Sequence, residues 1–239
     1  MEITERQKEI LSRIVTEHIK SAEPVSSQLL EKKYRFKVCP ATIRNEMQKL
    51  TEDGFISQPH TSAGRIPTDK GYRFFVDSLL EKEFFNGSSD FEIKDWAGKE
   101  MKEMTDSIKI LQSITKNLAL ISSNLALGYL SDLKILWKDG WEEIIKEPEF
   151  EEKKVIDNFI GMIEEFEEEI GGLEINSGIK VYIGKESPFP KAKEFSTIIT
   201  KCHFPAEEEG ILAIMGPKRM DYDKSIGSLY SLVRLLEKV

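Results

Sequence analysis

Three observations predict an α+β chain built in two parts. The first 80 of the 239 residues show helical periodicity broken by Pro and Gly, with a short polar hairpin before their last helix. The rest mixes amphipathic helical stretches with β-branched runs bounded by Gly and Pro, the pattern of an α/β domain with a small sheet. Charge divides at the same place. The formal net charge is -8 overall, but residues 1–80 carry 13 Lys+Arg against 11 Asp+Glu, or +2, which leaves -10 for residues 81–239. The expected domains are 1–85 and 98–239. Between them runs a linker, 86–97, opened by the breaker-rich Asn86–Gly87–Ser88–Ser89–Asp90.

The first helix is expected from about Thr4 to Ser21. Thr4 and Gln7 have capping-box spacing, and Ile10, Ile14, Val15 and Ile19 form one stripe. Pro24 interrupts. Ser26 or Ser27 then caps a short helix through about Lys33, with Leu29 and Leu30 facing inward, and Tyr34–Cys39 make the turn. A third helix opens at Pro40, whose missing N–H costs nothing at that position. Ile43, Met47 and Leu50 should bury, leaving Thr42, Arg44, Asn45 and Gln48 on the exposed side. Asp53–Gly54 ends it. Phe55–Gln58 reads as a strand and His60–Arg65 as a tip, whose Gly64 can take a positive φ. Thr68 then caps a helix with Tyr72, Phe75, Val76, Leu79 and Leu80 on its apolar side.

In the second part, Met104, Ile108, Leu111, Ile114 and Leu118 predict a helix over 98–117, its stripe resembling a packing seam between two copies. Leu118–Ile121 and Leu133–Trp137 read as strands, and a helix starts near Gly140. Residues 150–170 are helical, with Val155, Phe159, Met162, Ile163, Phe166 and Ile170 inward and the Glu164–Glu169 acids outward. Ile179–Ile183, Phe195–Ile199 and Ile211–Met215 read as strands. A last helix, Tyr222–Lys238, buries Ile226, Leu229, Val233 and Leu236, with Asp221 able to cap it.

Composition excludes several classes. A hydrophobic share of 40% is too high for general disorder, and no uncharged apolar run approaches the ~20 residues that span a bilayer. The start, MEITERQKEI, is acidic where a secretory signal is basic and then apolar, so the cytoplasm is expected. Cys39 and Cys202 form no CxxC, and each is expected to be a reduced, partly buried small residue. His18, His60 and His203 lack ligand spacing, so neither metal nor cofactor is expected. No Ser-His-Asp set, phosphate-cradling Gly loop or HExxH suggests an enzyme.

The order helix, helix, helix, hairpin is that of a winged helix-turn-helix, which places a recognition helix in the DNA major groove and a loop on the flanking backbone. Residues 32–73 carry 9 basic against 4 acidic side chains, a local excess suited to a polyanion. Arg44 and Asn45 are the candidates for base reading, since arginine pairs bidentately with guanine and asparagine with adenine. Thr42 and Gln48 share their side. Ser62, Gly64 and Arg65 are candidates for phosphate or minor-groove contact, and His60 for a hydrogen bond from the wing. Lys70 and Arg73, on the helix after the wing, complete the DNA-facing set, with a solvated charge the competing reading of Lys70. Tyr72 reads as packing.

The stretches ATIRNEM, QPHTSAGRIPTDKGYRFFVDSLL, VYIGKESP and GPKRMDY resemble the heat-inducible transcription repressor family, HrcA. The resemblance covers residues 1–80 closely and roughly 133–239 more loosely. It implies a GAF-like second domain and a dimeric repressor on an inverted-repeat operator (CIRCE) before chaperone genes. It also implies modulation by the GroEL chaperonin. Two features depart from the family. The stretch between Leu118 and Leu133 leaves no room for the dimerising domain that members insert there, or for one strand of the sheet. Cys39 stands where a serine usually caps the recognition helix, so a weaker cap is expected. The alternative from another class is a regulator whose GAF-like domain senses a small molecule.

Overall fold

The computed structural model describes residues 3–34, 36, 38–86, 106–173, 175, 178–205 and 208–237, with the backbone alone for 82–86. It divides into two compact units, Met1–Leu79 and Leu80–Val239. The expected linker beyond Asn86, and residues 98–105 of the expected helix, lie outside the described residues.

In the first unit, α1 (Glu5–Ser21) begins at the Thr4 capping box, in which Gln7 answers the Thr4 side chain. α2 (Ser27–Tyr34) is capped by the Ser26 hydroxyl, which accepts from the Leu29 amide at 3.1 Å. α3 (Pro40–Glu52) follows. It ends where Gly54 turns through φ +77°, a left-handed conformation that disfavours any side chain. β1 (Ile56–Ser57) pairs antiparallel with β2 (Ile66–Pro67), and α4 (Asp69–Asn86) starts at Thr68, whose hydroxyl accepts from the Gly71 amide. Ile10, Leu11, Ile14, Val15, Leu30, Ile43, Leu50 and Val76 form the fully buried core. Leu29, expected inward, is exposed. Helix α2 is only eight residues long, and one of its two adjacent leucines satisfies its single buried row.

The wing is tied to the helices by one interaction that sequence reading did not foresee. Val25 and Arg65 exchange backbone hydrogen bonds at 2.9 and 2.8 Å, adding a bridge to the two-residue ribbon. This corrects the reason given for Gly64. It does not take a positive φ. It is glycine because a Cβ there would lie 2.5 Å from the Val25 carbonyl carbon and oxygen. Gly64→Ala is therefore expected to destabilise the first unit by about 1 kcal/mol or more in urea melts, since the obstacle is backbone rather than a movable side chain.

The second unit is a five-stranded antiparallel sheet between helices. α5 (Ser107–Ser122) leads into the hairpin β3 (Leu125–Leu130) and β4 (Ile135–Asp139). After them come α6 (Trp141–Ile144), α7 (Lys153–Glu169), β5 (Lys180–Ile183), β6 (Phe195–Phe204), β7 (Glu208–Pro217) and α8 (Tyr222–Leu236). The strand order is β4-β3-β7-β6-β5, every pair antiparallel. One face carries α7 over an aromatic layer in which Phe159 meets Phe150 and Phe195, each with ring centres 4.9 Å apart. α5 lies on the other face, where a Cβ on Gly128 of β3 would strike Thr115 and Leu111. α8 shares that face. The buried Tyr222 hydroxyl donates to the Lys218 carbonyl and meets the Ser196 hydroxyl, each at 2.7 Å, which explains the GPKRMDY stretch as a structural junction.

Several expectations fail here for identifiable reasons. Leu118–Ile121 is helix, not strand: α5 runs to Ser122, and a short continuous apolar run does not reveal its period. The neighbouring strand is instead Leu125–Leu130, in the very stretch expected to have room for none. Every residue of it is buried, so it lacks alternation. β4 begins at Ile135, after a turn whose Lys134 has φ +52°. Leu232, not Val233, is buried beside Leu236 in the last turns of α8. The seam on α5 is not available to a second copy. Ile110, Leu111, Ile114 and Leu118 are wholly buried against the chain's own sheet and α8.

Candidate nucleic-acid interface

α3 presents its outer side as its periodicity requires. Ile43, Met47 and Leu50 anchor it, and Arg44, Asn45 and Gln48 are exposed, with Thr42 half-buried. The wing returns beside it. Arg44 and Met47, Ser26–Gln28 at the start of α2, and Gln58 with Thr61–Arg65 of the wing line one cleft of about 360 Å³. Helix and wing thus share a single concave surface. Gln58 shapes the wing by donating from its amide to the carbonyls of Thr61 and Ala63, both at 2.9 Å. His60 Nδ1 lies 3.2 Å from the Ser62 hydroxyl.

The polar candidates differ in how far the fold already engages them. Among the described residues, Arg44 and Asn45 make no hydrogen bond or ion pair, leaving their full donor sets to solvent or a partner. Gln48 donates to Glu52 at 3.0 Å. The Arg65 Nε donates to the Thr51 hydroxyl at 3.1 Å, which fixes the guanidinium beside the end of α3. Lys70 donates to the Asp53 carbonyl at 2.8 Å and sits 4.2 Å from the centre of the Phe55 ring, so it clasps the helix–wing junction. Arg73 pairs with Asp77 at 3.3 Å, one helical turn on. Sequence reading missed Ser26, Ser27 and Gln28, which join the cleft through tertiary packing. Only their place at the start of a helix hinted at a role.

Cys39 behaves as a poor cap. It stands at the N-cap of α3 without a cap hydrogen bond, and its Sγ lies 3.2 Å from the Thr42 hydroxyl. It is exposed, not partly buried as expected, and the Thr42 hydrogen bond lowers its thiol below the usual range. Cys202 is buried, and burial pushes it up to about 12. Cys39→Ser should raise the stability of the first unit by roughly 0.5–1 kcal/mol, because a hydroxyl accepts the orphan amides of α3 better than sulfur. Thermal melts of the two proteins test this.

A charged cluster behind the helices sets a pH dependence. Buried Glu17 accepts from Lys33 Nζ at 2.7 and 2.8 Å and from the Tyr34 hydroxyl at 2.5 Å, while Arg13 lies 4.6 Å from the Tyr34 ring centre. Burial raises the carboxyl, but the Lys33 and Tyr34 hydrogen bonds outweigh it and hold Glu17 below its usual 4.5. Tyr34 is pushed up to about 12, by burial first and Glu17 second. A depressed acid stabilises the fold above its unfolded value, and that contribution disappears as pH falls through the folded one. Stability of the first unit should therefore decline below about pH 4.5, and Glu17→Gln should flatten that decline in acid melts.

Comparison with known proteins bears on the whole chain. The profile described as HrcA protein C terminal domain matches residues 80–226. The heat-inducible transcription repressor HrcA of Natranaerobius thermophilus is 29% identical across 95% of this chain and 94% of that protein. Its namesake from Caldanaerobacter subterraneus subsp. tengcongensis is 28% identical across 100% and 97%. The first of these alignments spans 321 residues, more than the 239 present here, so that relative carries residues with no counterpart in this chain. Among solved structures, a crystal structure of a protein described only as hypothetical superposes with a TM-score of 0.81 over 99% of this chain and 98% of that one. At 22% identity it is similar in fold. The matched profile covers more than half of the chain, and the chain belongs to the HrcA family of heat-inducible transcription repressors.

Proposed function

We propose that this protein represses heat-shock (chaperone) genes by binding an inverted-repeat, CIRCE-like operator as a dimer in the cytoplasm. The observation that carries the reading is the pair Arg44 and Asn45, exposed and unengaged on α3, at a cleft whose other wall is a small-residue wing. Arg44 and Asn45 read base edges in the major groove, with Thr42 and Gln48 beside them. Ser62, Gly64 and His60 bring the wing backbone to the phosphates, and Arg65, Lys70 and Arg73 add positive charge around the junction. Residues 1–85 act as the reading head, 86–97 as linker and 98–239 as the GAF-like domain. GroEL enters as the partner that keeps the repressor competent, on the strength of the family alone.

Fluorescence anisotropy on an inverted-repeat duplex and on its scrambled counterpart, at several salt concentrations, tests this. The expected result is tighter binding to the repeat, with a salt slope common to both duplexes. Equal affinities would remove sequence-specific repression. A second reading has one observation in its favour: a cavity of about 600 Å³ in the second unit, lined by Thr200, Cys202, Ile226, Tyr230 and Val233 among others. Its size suits a small-molecule effector. A metabolite that raises the melting temperature and changes operator affinity would support it.

A further inference from the structure

The cavity of the second unit exists because two strands differ in length. β5 pairs with β6 only as far as Ile199, whereas β6 runs on to Phe204. Gly178 turns through φ +95° just before β5 and takes the chain off that line. Among the described residues, no strand pairs with the outer side of Thr200–Phe204. α8 is held to the sheet at its start, where the Tyr222 hydroxyl meets Ser196. Its later turns line the cavity of about 600 Å³ together with the unpaired stretch of β6.

The lining divides by chemistry. Ile226 and Cys202, both buried, and Ile179, Val233 and Tyr230, half-buried, make an apolar interior. Burial keeps the Cys202 thiol protonated, and the Thr200 hydroxyl is already engaged by the Gly178 and Lys201 carbonyls. The interior therefore carries no charge and offers little polar recognition. The exposed residues are charged: Lys201 and Arg234 against the single acid Glu237, with His203 beside them. A cationic excess runs against a part of the chain that carries -10. Ile226, Tyr230, Val233 and Arg234 share one side of α8, so helical phase joins the apolar interior to the charged mouth. The Arg234 guanidinium carbon lies 5.7 Å from the Tyr230 ring centre, which keeps the cation at that mouth.

We propose that this cavity binds an amphipathic carboxylate, its unbranched apolar chain against Ile226, Cys202 and Val233 and its acid group at Arg234 and Lys201. The permanent charges at the mouth sum to +1, which a singly charged carboxylate balances better than a doubly charged phosphate. An amine would gain Glu237 alone and meet both cations. The proposal deepens the second reading given above and rests on its premise that the cavity is a ligand site.

Titration calorimetry of the full chain with hexanoate, octanoate and decanoate tests this. Affinity should rise about threefold to fourfold per added methylene, as burial of each one requires. Decanol and decylamine should bind roughly tenfold more weakly than decanoate, or worse. Val233→Trp, which fills the cavity from its half-buried wall, should abolish binding. Trp137→Ala, on the far edge strand β4, should leave it unchanged and so exclude adsorption to exposed apolar surface. Arg234→Gln should remove the advantage of the acid over the alcohol while leaving decanol binding as it was, a split that a merely structural role would not produce. No binding by the wild-type chain, an affinity indifferent to chain length, decylamine as tight as decanoate, or an acid preference that survives Arg234→Gln would overturn the proposal. Operator anisotropy in saturating decanoate separates it from the effector reading. Decanoate bound with operator affinity unchanged defeats that reading alone. A metabolite of another class that fills the cavity and shifts operator affinity, where decanoate does not bind, defeats the carboxylate alone.

Discussion

Arg44→Ala is expected to erase most of the preference for the inverted repeat while leaving the scrambled duplex nearly as well bound. A bidentate arginine–guanine pair is worth about 1–3 kcal/mol of discrimination, so the affinity ratio should fall roughly tenfold to a hundredfold per site. The structure makes this a clean substitution. Arg44 is exposed, and it makes no hydrogen bond or ion pair among the described residues, so its loss should leave the melting temperature alone. Arg65 gives the contrast. Its Nε holds the Thr51 hydroxyl, and its backbone bridges to Val25. Arg65→Ala should therefore weaken both duplexes together, flatten the salt slope and loosen the wing. Anisotropy titrations and melts on the same two proteins separate the roles. Unchanged discrimination in Arg44→Ala would remove that residue from base reading.

Leu111→Ala is expected to destabilise the second unit by about 2–5 kcal/mol without altering the association state. Leu111 is wholly buried, and its side chain fills the space that Gly128 leaves on β3. Small neighbours fit closely there, so the truncated site cannot collapse and a cavity should remain. A denaturant melt reads the loss, and sedimentation below the unfolding transition reads the association. The pairing of outcomes matters. A stable Leu111→Ala protein that dissociated would return the contact between copies to α5.

The same residue shows where sequence reading stops. A 3/4 stripe on a helix states that one face will be buried, but not against what. Leu111 was legible as buried, whereas its partner, strand Leu125–Leu130, was hidden because a strand covered on both faces has no alternation to read. Leu118–Ile121 fell to the same ambiguity. In the first unit the rules are local, so far more survived. The Thr4 capping box, Pro40 at the first helical position, Gly54 past its end and the Ile43–Met47–Leu50 row all stand as read.

The residues proposed to read bases from α3 belong to that local class, because helical phase alone sets which side chains share a face. By itself, then, the sequence determined the helix order, the exposed side of α3 and the place of the wing. Tertiary structure alone decided the rest. It drew Ser26–Gln28 into the cleft and made Gly64 a matter of close approach to Val25. It also turned Lys70 into a clasp on Asp53 and Phe55, and set β4 at one edge of the sheet formed by the described residues. The physical reason is common to these cases: each depends on distances between segments far apart in the chain, which neither periodicity nor capping encodes.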